Sequence, residues 1–72
     1  MAKVVRVRPN LTNILKERDM TQNQLSELSG VPQASISRFD KNERHEANIL
    51  FSISKALNIS IEDLFVEEQE ET

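Results

Sequence analysis

Residues 21–41 read TQNQLSELSGVPQASISRFDK, and their pattern predicts two short helices joined by a tight turn. Thr21 and Gln24 have the spacing of a capping box, which marks the start of a helix. Gly30 stands where a C-cap able to take a positive φ is expected, and Pro32 suits the start of the next helix. Two helices joined in this way outline a helix-turn-helix, a unit that lays its second helix in the DNA major groove.

Apolar periodicity on either side of this stretch predicts three more helices, at about residues 11–18, 47–57 and 60–66. Asn10 is a candidate cap for the first of these, and Asn58 is a candidate C-cap for the second. Together with the two central helices, they predict an all-α, compact five-helix domain.

The apolar residues of the predicted inward faces are expected to form one core. That set includes Leu25, Leu28, Ile36, Phe39, Phe51 and Phe65. Asn42 is expected to end the second central helix, because Asn tolerates a left-handed conformation. We expect the single histidine, His45, to be a solvent-exposed residue of a loop.

Composition excludes several classes of protein. The chain has 72 residues, enough for one domain, and contains no cysteine and one histidine. Disulfides are therefore excluded and a zinc site is not expected. Without a Gly-rich phosphate loop or a catalytic constellation, we expect neither an enzyme nor a cofactor. No stretch resembles a signal peptide or a membrane span, which favours a soluble cytoplasmic protein.

The charge is distributed unevenly along the chain. The formal net charge is −3, but residues 1–45 carry eight Lys or Arg against five acids, and residues 46–72 carry one Lys against seven acids. Because the Debye length is about 8–10 Å, local charge outweighs total charge at contact distance. The basic part can therefore face phosphates while the acidic part faces away.

Three segments follow from these patterns. Residues 1–10 form a basic N-terminal arm, residues 11–66 form the helix-turn-helix domain, and residues 67–72 form an acidic tail expected to be disordered. The partly alternating arm, Lys3–Arg8, has three possible roles. It adds affinity for DNA, it pairs with the same arm of a second subunit, or it is disordered.

The residues also resemble a known family, the phage-repressor and Cro-type helix-turn-helix regulators. The resemblance covers about residues 11–65. It is carried by Thr21-Gln22, Leu25, Gly30-Val31, Ser35-Ile36-Ser37-Arg38, Leu50, Ile53, Leu57-Asn58-Ile59-Ser60 and Asp63-Leu64-Phe65. The sequence departs from the family pattern at Ser26, Pro32, Asn42 and Glu46. Pro32 matters most, since it replaces a hydroxyl that caps the recognition helix in that family.

The predicted contacts with DNA fall into two groups. The first would touch base edges from the second central helix, and consists of Gln33, Ala34, Ser37 and Arg38. Gln is suited to adenine and Arg to guanine, although Arg38 has alternative roles as a phosphate contact or as the partner of Asp40 or Glu43. The second group would contact phosphates, and consists of Gln22, Ser35, Lys41, Asn42 and Arg44.

These observations predict a sequence-specific regulator of transcription that binds double-stranded DNA, acting as a repressor and as a homodimer. Small domains of this kind usually reach useful specificity as two-fold dimers that read two half-sites. Phe65 and Val66 would form a dimer surface if they were exposed. The alternative is a protein-interaction module with a protein partner, such as an antitoxin that neutralises a toxin.

Overall fold

The computed structural model describes residues 3–68. This part of the chain forms four α-helices, two single turns of 3₁₀ helix and two short strands. In chain order these are β1 (Val7–Pro9), α1 (Leu11–Glu17), α2 (Gln22–Ser29), α3 (Gln33–Arg38), a 39–41 turn (Phe39–Lys41), α4 (Ala47–Leu57), a 62–64 turn (Glu62–Leu64) and β2 (Phe65–Glu67). The domain is mostly helical, but the prediction of a strictly all-α, five-helix domain is wrong.

The helices pack around one hydrophobic core that every element from α1 to the 62–64 turn contributes to. Its buried members are Leu11, Ile14, Leu15, Leu25, Val31, Ile36, Phe39, Ile53, Leu57 and Leu64. Helix α2 lies between α3 and α4 and contacts both. The six-residue α3 is therefore fixed by its inner side chains, Ile36 and the adjacent Phe39, because burial of apolar surface is the main stabilising term.

The predicted fifth helix is a single turn followed by a strand. Ser60 and Asp63 form the expected reciprocal cap, with Asp63 N–H donating to Ser60 Oγ at 3.3 Å and Ser60 N–H donating to Asp63 Oδ2 at 3.2 Å. The backbone then becomes extended at Phe65, with φ −128° and ψ 162°. Phe65 and Val66 are residue types that favour strands, and here a second strand is available to pair with them.

That second strand comes from the N-terminal arm. β1 and β2 pair antiparallel, with Val7 opposite Glu67, Arg8 opposite Val66 and Pro9 opposite Phe65. The pairing continues by one bond, since Glu68 N–H donates to Arg6 C=O at 2.8 Å. We call this pair of strands the terminal ribbon.

The ribbon changes the interpretation of both ends of the chain. Residues 7–9 of the arm pair within their own chain, so the alternative of a disordered arm is wrong for them, while the predicted roles in DNA affinity and in pairing with a second subunit stay predictions. Glu67 belongs to β2, so the structure contradicts the prediction that the disordered tail begins there. Residues 69–72, the rest of the predicted tail, lie outside the described residues.

Two residues predicted to be buried are exposed. Leu28 is 61% exposed and Phe51 is 56% exposed. Successive residues of an α-helix lie about 100° apart, and the inner face of α2 carries Leu25 beside the half-buried Ser26 and Ser29. Leu28 lies on the other side of Leu25. The small serines, which an apolar pattern does not detect, mark the face that α2 turns inward.

The cap of α1 also differs from the prediction. Asn10 makes no capping hydrogen bond to the helix backbone. Instead, both carboxylate oxygens of Asp40 accept backbone N–H groups of α1, Oδ1 from Leu11 and Oδ2 from Thr12, each at 2.9 Å. A carboxylate at this position satisfies two of the orphan donors of the first turn and interacts favourably with the helix dipole.

The loop after the 39–41 turn is more structured than expected. Asn42 is extended, with φ −85° and ψ 140°, so its predicted left-handed conformation is wrong. His45 is half-buried, and its ring lies 4.2 Å from the Phe39 ring and 5.6 Å from the Phe65 ring, measured between centroids. Its Nε2 is 2.8 Å from Phe39 C=O. Because a carbonyl only accepts, Nε2 carries the hydrogen.

Candidate nucleic-acid interface

The turn between α2 and α3 has the geometry that its residues predict. Thr21 Oγ1 accepts from Gln24 N–H at 3.1 Å and Gln24 Oε1 accepts from Thr21 N–H at 2.8 Å, which confirms the capping box. Gly30 adopts φ 77°, a left-handed conformation that costs a residue with a Cβ about 1–2 kcal/mol. Ser26 Oγ donates to Val31 C=O at 2.6 Å and ties the turn to α2. The angle between the two helices is therefore fixed by local bonds.

The predicted base-contacting residues lie together on the outer face of α3. Gln33 and Ser37 are four residues apart, as are Ala34 and Arg38, so each pair shares one side of the helix. All four side chains are exposed, while Ile36 on the opposite side is buried. The structure thus brings the four residues into one accessible polar strip with an apolar anchor behind it.

One hydrogen bond joins the two helices at the start of this strip. Gln33 Nε2 donates to Gln22 Oε1 at 2.7 Å. An amide group has two N–H donors and one carbonyl acceptor. Gln33 therefore keeps one donor and its acceptor, which is the pair that adenine N7 and N6 require. Gln22 keeps both of its own donors.

The carboxylate of Asp40 is committed to α1. Both of its oxygens accept backbone N–H groups, from Leu11 and Thr12. Asp40 is therefore bonded to α1, and the predicted alternative of an ion pair with Arg38 is wrong. The Arg38 guanidinium is exposed at the end of the strip. It carries the planar set of donors that matches guanine O6 and N7.

The predicted phosphate contacts divide into two places. A shallow depression at the end of α3 is lined by Ser35, Asn42 and Arg44, next to Ala34 and Arg38 of the strip. Gln22 lies apart from it, at the other end of the strip, as the first residue of α2.

Lys41 is the exception among the predicted phosphate contacts. It does not line this depression but a neighbouring cleft, with Arg6 and Arg8 of the arm. Asp40, Glu43 and Glu68 line the same cleft, so its charge is mixed.

Sequence reasoning missed the positioning role of Asp40. Its partners lie 28 and 29 residues away in the chain, so no local spacing indicates the contact. From the sequence, an acid directly after the second central helix suggests a partner for nearby cations. No local signal pointed to this role, because Asn10 already offered a suitable cap residue for α1.

Within residues 3–68, no three His, Asp or Glu side chains group in a way that could hold a metal ion. None of the helices in that range is long and apolar enough to cross a membrane.

A solved structure has a similar fold. The crystal structure of the transcriptional regulator VanUg (Form II) superposes with a TM-score of 0.68 and is 28% identical, over 96% of this chain and 93% of that chain. No curated protein matches the sequence. Residues 10–70 match the family described as the Cro/C1-type HTH DNA-binding domain. That match runs through all four α-helices, both 3₁₀ turns and β2 but begins after β1, and this chain therefore belongs to the Cro/C1-type helix-turn-helix family of DNA-binding domains.

Proposed function

We propose that this chain is a sequence-specific repressor of transcription that binds duplex DNA as a homodimer, with α3 in the major groove. The observation that carries the proposal is the exposed strip of Gln33, Ala34, Ser37 and Arg38 on a helix whose inner face is buried. A helix that reads bases in the major groove needs outward-facing polar side chains and a position fixed by the core.

Base reading would start at the N-terminal end of α3. The bond to Gln22 orients the Gln33 amide before DNA arrives, and the remaining donor and acceptor match adenine. Ala34 would contact a thymine methyl group, and Arg38 would bond to guanine. Each bidentate contact is worth about 1–3 kcal/mol of discrimination against the wrong base.

Phosphate contacts would set the register of the helix in the groove. Ser35, Asn42 and Arg44 line one depression beside the strip, and Gln22 and Lys41 would extend the contact on either side. Contacts of this kind carry little sequence information but most of the salt dependence. Repression would follow from occupancy of a site that polymerase needs.

The test begins with duplex sites selected in vitro and measured by fluorescence anisotropy at two salt concentrations. Arg38→Ala and Gln33→Ala should each lower the preference for the selected site by about 1–3 kcal/mol. Arg44→Ala should weaken binding to selected and random duplexes alike. It should also reduce the slope of the logarithm of the binding constant against the logarithm of the salt concentration by about one.

Lys55→Ala is the matched control, because Lys55 is an exposed cation on α4 in the acidic part of the chain. It should leave affinity and preference unchanged. If the preference survives both Gln33→Ala and Arg38→Ala, α3 does not read the bases. Absence of any salt-dependent binding to duplex DNA would contradict DNA binding itself.

A further inference from the structure

The terminal ribbon borders an open groove that the DNA-reading strip does not use. The groove has a volume of about 650 Å³ and lies between the ribbon and the 62–64 turn. Its apolar lining consists of Val5, Val7, Ile61 and Phe65. We call it the ribbon groove.

The apolar side chains that the arm contributes to this groove are open to solvent. Val5 is 63% exposed and Val7 is 50% exposed, and Ile61 is only half-buried. Covering such side chains removes apolar surface from water, which is favourable. Because they line one concave surface, the ribbon groove has the character of an interaction site.

Three carboxylates also line the groove, and two of them have no partner. Asp63 accepts the backbone N–H of Ser60 in the cap of the 62–64 turn. Glu62 and Glu67 are exposed. In the range that the structure describes, residues 3–68, neither of these two side chains accepts a hydrogen bond or pairs with a cation. Both are therefore available to a cationic partner.

These charges select the occupant of the groove. A nucleic acid is disfavoured, because its phosphates would meet carboxylates. A second copy related by a two-fold axis is disfavoured as well, since acid would meet acid across that axis. Arg6 and Arg8 do not offset this charge, because they alternate with the valines and emerge on the opposite face of the ribbon. The groove is therefore complementary to a different protein that carries apolar side chains beside Lys or Arg.

The backbone of the ribbon favours an extended partner. Glu68 N–H donates to Arg6 C=O, and in an antiparallel pair such bonded positions alternate with positions whose N–H and C=O groups point outward. Val7 and Glu67, the next pair along the ribbon, therefore point these groups away from each other. Among the described residues the sheet has only two strands, so both of its edges are open. Extended segments add to open edges through main-chain hydrogen bonds, and a further strand stabilises a two-stranded sheet.

We propose that the ribbon groove binds an extended segment of a different protein in which apolar residues alternate with Lys or Arg. The apolar side chains of that segment would cover Val5 and Val7, and its backbone would pair with an open edge of the ribbon. Its cations would reach Glu62 and Glu67, because their long stems let the charged heads bend toward the carboxylates. Helix α3 contributes no residue to the groove, so the inference goes beyond DNA binding and does not rest on it.

The first experiment measures binding of a synthetic probe, a dye-labelled peptide in which Lys and Val alternate, to the full chain. Fluorescence anisotropy should show saturable binding. NMR shift changes should be centred on the amides of residues 5–7 and 61–67 rather than on those of α3. Two peptides serve as controls, one with the same composition but with all lysines before the valines, and one with Glu in place of Lys. Both should bind at least about tenfold more weakly.

The second experiment tests the carboxylates with the same Lys and Val peptide. Glu62→Gln combined with Glu67→Gln should raise its dissociation constant about fivefold, because each exposed ion pair contributes little. Glu17→Gln combined with Glu27→Gln is the matched control, since it removes the same charge at exposed positions on α1 and α2. The control should change the dissociation constant by less than about twofold, because distant exposed charges are screened.

The third experiment tests the apolar lining. Val5→Ser combined with Val7→Ser should raise the dissociation constant of the peptide by about tenfold, because less apolar surface is buried on binding. Phe51→Ser is the matched control, because Phe51 is 56% exposed but lies on α4. It should leave binding unchanged, and circular dichroism should show that the variants are folded. The Glu62 and Glu67 variant keeps the test independent of folding, since both side chains are exposed.

Several outcomes would overturn the inference. The alternating peptide would fail to bind at about 1 mM, or would bind no better than the two control peptides. Equal effects of the two double Gln variants would show only a general attraction of cations to an acidic chain. If the chain self-associates and Val5→Ser with Val7→Ser abolishes that association in sedimentation, the occupant is a second copy. None of these results bears on the proposed function, because the experiments contain no DNA.

Discussion

The helix-turn-helix and the terminal ribbon lie on either side of the same 39–41 turn, yet they are held in different ways. The helix-turn-helix is anchored by Leu25, Val31, Ile36 and Phe39, none of which is more than 4% exposed. In the ribbon, Val7 is half-exposed and β1 contributes no buried side chain. The firmly packed element exposes a polar strip on its outer face, whereas the thinly packed one leaves apolar side chains exposed to solvent.

The largest expected effect is on the buried core that holds the helix-turn-helix. Phe39→Ala removes a ring that is 1% exposed and lies near the rings of His45 and Phe65, so it should lower the free energy of unfolding by about 3–5 kcal/mol. That is a large fraction of the stability of a small domain. Urea denaturation followed by circular dichroism measures it. Phe51→Ala, on the exposed side of α4, should change stability much less, and equal losses would refute the assigned core.

The next largest expected effect concerns the turn between α2 and α3. Gly30→Ala should cost about 1–2 kcal/mol, because an L-residue is strained at φ 77°. A Cβ built on Gly30 meets nothing within 4 Å, so the cost comes from the backbone alone. Gly30→Asn should retain more stability than Gly30→Ala, since Asn tolerates this region. Thermal melts of the three chains check the order, and an Ala variant as stable as the wild type would contradict the left-handed turn.

The third prediction concerns the hydrogen bonds by which Asp40, just after α3, caps α1. Asp40→Ala removes the acceptor of two backbone N–H groups and should cost about 1 kcal/mol, as the loss of a helix cap does. If Asp40 also positions α3, the variant should lose preference between selected and random DNA at temperatures where it is fully folded. Glu27→Ala, which removes an exposed acid on α2, serves as the control. Unchanged stability with Asp40→Ala would mean that the cap contributes nothing.

The smallest expected effect concerns how firmly the terminal ribbon is packed. Val5→Ser alters a side chain that is 63% exposed, and it should change the stability of the monomer by less than about 0.5 kcal/mol. Chemical denaturation at a concentration below dimer formation measures this value. A loss of 2 kcal/mol or more would show that the ribbon is packed as firmly as the helix-turn-helix, and the contrast would disappear.

What the sequence predicted well depended on neighbours along the chain. The capping box at Thr21, the left-handed caps at Gly30 and Asn58 and the outer strip of α3 all follow from residues within a few positions of one another. The buried faces of α1 and α3 were predicted correctly from their apolar residues. The prediction failed at Leu28 of α2, where small serines pack inward, and at Phe51 of α4, since both of these apolar side chains are exposed.

The sequence by itself therefore determined the helix-turn-helix, its family and the residues of its outer face, because caps and helical periodicity act over short separations. Only the tertiary structure decided that residues 7–9 pair with 65–67, that Asp40 caps α1 and that His45 packs between two phenylalanines. Contacts such as the ribbon and the Asp40 cap join residues about 30 to 60 positions apart. Their energy comes from burial and from satisfied backbone groups, which become available only once the core has brought the partners together.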